Sequence, residues 1–107
     1  MFRRQWSGAW FSYTLDDIAA QAPKESGVYA IAVGIIGGGT QWIYIGGAGD
    51  VQDRLKQHCS GQSEKSLCIS AYGQNWFSYE VWVPSLRAKR ERELIRMYQP
   101  ACNERLG

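Results

Sequence analysis

Two runs rich in β-branched and aromatic residues, SGVYAIAVGII over 26–36 and QWIYIG over 41–46, are separated only by GGGT. Strands joined by so short a glycine-rich loop have little choice but to pair antiparallel. The strands are expected over 27–36 and 41–46, and a four-residue loop sets Ile36 opposite Gln41. Side chains alternate between the faces of a sheet, so this register puts Tyr29 and Tyr44 on one face. A slip by one residue would separate them. As an isolated pair, two tyrosines are ordinary β-formers that pack together.

The chain beyond the hairpin supplies polar groups near its end. GGAGD follows the second strand, and Asp50 suits the N-cap of a helix running to about Cys59. At 100° per residue Val51, Leu55 and His58 form one stripe, with Arg54 at its edge. His58 is the only histidine. On such a stripe a histidine is either a satisfied, half-buried residue or a reactive group, and the arginine beside it needs an anion or water. GGAGDV superficially resembles a phosphate-cradling loop. It lacks the third glycine of a dinucleotide fold and the Lys-Ser/Thr end of a P-loop, which excludes a nucleotide cofactor.

Thr14 and Asp17 resemble a capping box for a short helix over 15–22, which Pro23 ends. Residues 60–75 form a loop with one helical turn, and WFSYEVWV alternates as a third strand. Pro84 and Ser85 start a last helix that reaches about Tyr98, before Pro100. On that helix Arg87, Ala88, Glu91, Leu94, Ile95 and Tyr98 share one face, with Glu91 in its middle. A carboxylate on an apolar face is costly unless it is paired or binds a metal. A salt bridge to Arg87 or Arg54 is the plainer explanation. Glu93 points away.

A chain of 107 residues supports one domain with one modest core, here 1–107, in which 1–26 form an aromatic and basic extension plus the short helix. The net charge of +2 is uninformative, but Arg87, Lys89, Arg90, Arg92 and Arg96 crowd one helix. Such a run is either a solvated face or a polyanion site. Three cysteines, no CxxC and one histidine exclude a zinc site, and the thiols are expected reduced, in an intracellular compartment. No signal peptide or membrane span is present, so a cytoplasmic protein is expected.

GVY at 27–29 and YIG at 44–46 resemble the signature triplets of the GIY-YIG nuclease family, with Val28 for the usual isoleucine. Arg54 stands ten residues after Tyr44, E-x-x-L-I spans 91–95, and P-x-x-N ends at Asn103. The five features occur in the family's order and cover most of the chain. The resemblance implies an α+β fold, a small three-stranded antiparallel sheet flanked by helices. It also implies metal-dependent hydrolysis of DNA phosphodiesters. Glu91 would bind one divalent cation, Mg²⁺ or Mn²⁺, with waters completing its shell. Arg54 would hold the scissile phosphate. Tyr29 would activate or position the attacking water, and Tyr44 would hydrogen-bond the phosphate or that water. Asn103 would anchor the helix end.

Many members of the family carry a lysine after the second triplet, where this chain has Gly47. Others place a histidine four residues after the arginine, as His58 is here. His58 would then take a proton from Tyr29, or alternatively point a hydrogen bond at the phosphate. Little of the chain is left to read bases, which leaves cutting with low specificity, recognition of a DNA structure, or dependence on a homodimer or a targeting partner protein. Arg3, Arg4, Lys89, Arg90 and Arg96 are the candidate DNA contacts. Trp6 and Trp10 either cover the core or stack on unpaired bases. The competing reading is a catalytically inactive nucleic-acid-binding or partner-interaction module of the same fold.

Overall fold

The computed structural model describes residues 5–34, 39–73 and 75–103. Its elements follow in the order β1 (Phe11–Ser12), α1 (Leu15–Gln21), β2 (Gly27–Gly34), β3 (Thr40–Ala48), α2 (Val51–Cys59), α3 (Ser66–Ser70), β4 (Trp76–Val81) and α4 (Pro84–Tyr98). The caps expected from the sequence form. Thr14 accepts from the Asp17 amide and Asp50 from the Asp53 amide.

The sheet is antiparallel and has four strands, in the order β1-β4-β2-β3, rather than three. The additional strand is the two-residue β1, which pairs Phe11 with Phe77 and Ser12 with Trp76 on the outer edge of β4. A strand this short leaves no alternation to detect, and only β4 makes it one.

β2 lies at the centre and is buried on both faces. Tyr29 and Ile31 point into a core shared with Ile18, Val51, Leu55 and Ile69 of the helices α1, α2 and α3. Val28 and Ala30 point into a second core with Leu94 and Ile95 of α4. The β2–β3 register differs by two residues from the one expected, with Tyr29 opposite Gly46. A two-residue shift preserves the face, so Tyr29 and Tyr44 still share one. The predicted partner Ile36 lies outside the described residues.

The register changes again between Ile31, opposite Tyr44, and Ala32, opposite Trp42, which leaves Ile43 as a bulge. Two residues apart on a regular strand, Trp42 and Tyr44 would share a face. The extra residue separates them. Trp42 turns to the α4 side and stacks on Tyr98 with ring centroids 3.9 Å apart, while Tyr44 stays beside Tyr29.

The buried arc of α4 is rotated relative to the expected one. Ala88 is exposed, and Arg90 is 5% exposed. Glu80, on the α4 face of β4, draws Arg90 inward. Nε and Nη2 of Arg90 reach the two carboxylate oxygens of Glu80 at 2.8 and 3.0 Å, and Nη1 reaches Glu93 at 2.6 Å. A stripe drawn from hydropathy has no means of placing a paired arginine inside.

The tail closes the other edge of the sheet. The amides of Ala101 and Cys102 donate to Trp42 and Ile43 of β3. This return brings Cys102 to α3, where it forms a disulfide with Cys68 across 34 residues. The expectation of three reduced thiols is therefore corrected. Only Cys59 is free. Spacing along the chain carried no sign of this contact. No helix among the described residues is long and apolar enough to cross a membrane.

Candidate active site

The glycines of the two triplets are steric requirements. A Cβ on Gly27 would run into the Glu80 carbonyl, because β2 and β4 close together there. A Cβ on Gly46 would run into the hydroxyl of Tyr29, which crosses over β3 at this position. The bare backbone of Gly46 thus gives Tyr29 its place. Tyr29 is 1% exposed, with its ring centroid 6.1 Å from that of Tyr44.

His58 comes from the buried stripe of α2 and packs against both tyrosine rings, at 5.5 and 5.2 Å. Its Nε2 is 2.7 Å from the Tyr29 hydroxyl oxygen. Burial and the neighbouring Arg54 charge push the imidazole pKa down to about 4, against a smaller opposing pull from Glu64. The ring is therefore neutral at neutral pH. Burial also raises the Tyr29 hydroxyl well above its ordinary value, with Tyr44 adding to it and Arg54 opposing. Burial, together with the Glu91 charge, raises Tyr44 as well.

Arg54 is one turn before His58 and partly open to solvent. Its guanidinium donates to Glu64 at 2.7 Å and to Gln57 at 2.9 Å. It does not pair with Glu91. Glu91 arrives from α4, on the opposite face of the sheet from the tyrosines. It reaches the site where Gly46 and Gly47 leave the β3 edge without side chains, and its charge acts on both Tyr29 and Tyr44. Burial raises its carboxyl pKa. The Gly47 amide, which donates to it, and the charges of Arg87 and Arg92 pull the other way.

A Cβ on Gly47 would sit 3.0 Å from a Glu91 carboxylate oxygen and 3.3 Å from Cγ of Arg87. The stem of Arg87 therefore packs against Gly47, and its guanidinium donates to Ser26 at 3.1 Å. Arg87 had been placed on the same helical face as Glu91, but not in the site. Asn103 clamps the strand beside Tyr44. Its Oδ1 accepts from the Ile45 amide and its Nδ2 donates to the Ile45 carbonyl, both at 2.8 Å. These bonds tether the segment that follows α4 to β3.

Tyr29, Tyr44, Arg54, His58 and Glu91 are therefore brought together, with Asn103 behind them. Of the candidate DNA contacts, Lys89 and Arg96 are exposed and line a shallow groove with Arg92. Arg90 is turned inward and paired. Arg3 and Arg4 lie outside the described residues. Trp6 packs against the α4-side core and donates to Ser78, and Trp10 lies tilted beside it.

No family model matches the sequence, and no curated protein does. Solved structures do. The GIY-YIG N-terminal endonuclease domain of UvrC from Thermotoga maritima, bound to magnesium as its catalytic divalent cation, is 29% identical. The match covers 83% of this chain and 93% of that one, at a TM-score of 0.65. A point mutant of the same domain, also with its catalytic divalent cation, matches over 85% of this chain and 96% of its own, at 28% identity and a TM-score of 0.66.

The chain has the fold of a GIY-YIG endonuclease domain.

Ser63, Glu64 and Ser66 were not anticipated at the site. They lie in and beside the loop before α3, and only the fold carries them to His58 and Arg54. Among the described residues no three His, Cys, Asp or Glu side chains gather as a metal cluster. Glu91 is the carboxylate that β3 and α4 enclose, and no ion pair among the described residues holds it. A half-buried carboxylate with a raised pKa and no paired cation fits a hard divalent ion that keeps most of its waters.

Proposed function

We propose that this chain is a metal-dependent endonuclease that hydrolyses phosphodiester bonds in DNA. The observation that carries the reading is the hydrogen bond between Tyr29 and a neutral His58, with the charges of Arg54 and Glu91 acting on the same tyrosine. A phenol buried as Tyr29 is cannot ionise by itself at neutral pH, and the adjoining imidazole supplies the missing acceptor.

Water approaching the phosphate passes a proton to the Tyr29 oxygen as the Tyr29 hydroxyl proton moves to Nε2 of His58. The water oxygen forms a bond to phosphorus. The opposite P–O bond breaks, and its electrons leave with the departing oxygen, which is protonated by solvent. His58 returns its proton to water to reset the site. Arg54 binds the non-bridging oxygens as charge grows on them, exchanging Glu64 for phosphate. Tyr44 fixes the phosphate or the attacking water, and Asn103 holds the strand that carries Tyr44. Glu91 would hold the divalent cation, which when bound supplies Lewis-acid stabilisation of the phosphoryl charge.

Cleavage of supercoiled plasmid, single-stranded and branched DNA with Mg²⁺ or Mn²⁺ tests the reading, with wild type beside Glu91→Ala and His58→Ala. Metal-dependent cutting that disappears in Glu91→Ala is expected. No cutting of any substrate, with wild type and Glu91→Ala binding DNA equally, would point to an inactive binding module instead.

A further inference from the structure

His58 is held from behind by two serines. Its Nδ1 is 2.5 Å from Oγ of Ser63. Oγ of Ser63 is 2.9 Å from Oγ of Ser66, and also accepts from the Lys65 amide at 3.3 Å. Oγ of Ser66 accepts from the Ser63 amide at 3.1 Å and lies 3.1 Å from the His58 carbonyl. Ser66 is 8% exposed and His58 is 2% exposed, so water competes little for these groups.

Each hydroxyl has one proton and two lone pairs, which settles the direction of every bond. The His58 carbonyl can only accept, so Ser66 donates its proton there. Ser66 must then accept from Ser63, which uses the only proton of Ser63. Ser63 therefore has none left for His58 and accepts from it instead. Nδ1 carries the hydrogen. In a neutral imidazole the other nitrogen then has a free lone pair, and Nε2 accepts from the Tyr29 hydroxyl. Both serines use all three of their bonding positions in this arrangement. Reversing the chain would break the bond from Ser66 to the His58 carbonyl.

We propose that Ser63 and Ser66 are positioning residues that lock His58 in its Nδ1–H tautomer, with the Nε2 lone pair aimed at the Tyr29 hydroxyl. The catalytic half of this proposal rests on the reading of His58 as proton acceptor. The tautomer does not. The serines do for His58 what a buried carboxylate does for the histidine of a serine-protease triad, but without adding a negative charge. That choice suits a cleft that must bind phosphate.

The chain has a single histidine, so ¹⁵N-histidine labelling yields one imidazole spin system. Long-range ¹H–¹⁵N correlation at neutral pH reads which nitrogen is protonated. Protonated Nδ1 and bare Nε2 are expected in wild type. In Ser66→Ala the Ser63 proton is freed to donate to Nδ1, so the Nε2–H form should appear, and kcat should fall at least tenfold with KM little changed. Ser66→Thr, which keeps the hydroxyl, should restore both. In a His58→Ala background, Ser66→Ala should cause no further loss, because the residues act through one another.

Protonated Nε2 in the neutral wild-type ring would overturn the proposal. So would an unchanged tautomer in both Ser63→Ala and Ser66→Ala. If the wild-type tautomer is as stated while His58→Ala cleaves normally, the proton-acceptor reading falls and takes the catalytic half with it, whereas the assignment of the lock stands.

Discussion

A methyl group at Gly46 would meet the Tyr29 hydroxyl and ring, and would also press on Tyr44 at 3.0 Å. Gly46→Ala is therefore expected to cost about 1–3 kcal/mol, as overpacking does. Removing the hydroxyl with Tyr29→Phe should recover part of that cost, and urea midpoints of the two single variants and the double variant measure it. Strict additivity would mean that the two groups do not touch. His58 makes the stability of the fold depend on pH. Its folded pKa of about 4 lies below the ordinary imidazole value of 6.5, so folding favours the neutral ring. The resulting stability is complete above pH 6.5 and is lost as pH falls toward 4. Its size is about 3 kcal/mol. Arg54, which deepens this shift, and Glu64, which opposes it, are the charged groups acting on the ring. Urea melts at pH 7 and pH 4.5 should converge in His58→Gln relative to wild type. An identical pH dependence in the two proteins would rule this out. Glu80, held down to about 2 by bonds from Arg90, Trp82 and Ser7 that outweigh burial, titrates mostly below that window.

The helix α4 sorts its basic residues by partner. Arg90 is one half of a buried, two-pronged ion pair with Glu80, and Trp82 and Ser7 also donate to that carboxylate. Glu80→Ala leaves a buried guanidinium short of its main partner and is expected to cost about 3–5 kcal/mol. Lys89→Glu and Arg96→Glu, on the exposed side, should leave stability within about 0.5 kcal/mol. They should instead weaken DNA binding and flatten its dependence on salt. Chemical denaturation and binding titrations at several salt concentrations separate the two behaviours. Unchanged affinity in the charge-reversal variants would exclude the outer face as the DNA footprint. Hydropathy and helical period located α4 and most of its inner face, including Glu91. They missed Arg90 because its position depends on Glu80, which belongs to another element.

Across the whole molecule, the tail from Ala101 to Asn103 covers the free edge of β3, and the disulfide ties it to α3. The two supports of the site, Asn103 behind Tyr44 and the serines behind His58, are thereby joined. Closing a loop of 34 residues restricts the unfolded chain by about 3–4 kcal/mol. Cys68→Ser, or reduction, should lower the urea midpoint accordingly, and Cys59→Ser should respond to reductant as wild type does. A midpoint unmoved by reductant would show that the bridge carries no stability. The sequence by itself determined the helices, the three longer strands and the sharing of a face by Tyr29 and Tyr44. It also determined the stripe that buries His58 beside Arg54. These follow from local periods, caps and turns, which act over a few residues. Tertiary structure alone decided the fourth strand, the bulge at Ile43, the inward turn of Arg90, the Cys68–Cys102 bridge and the serines behind His58. Each is a contact between segments far apart in the chain, and its energy exists only after both have been folded into place.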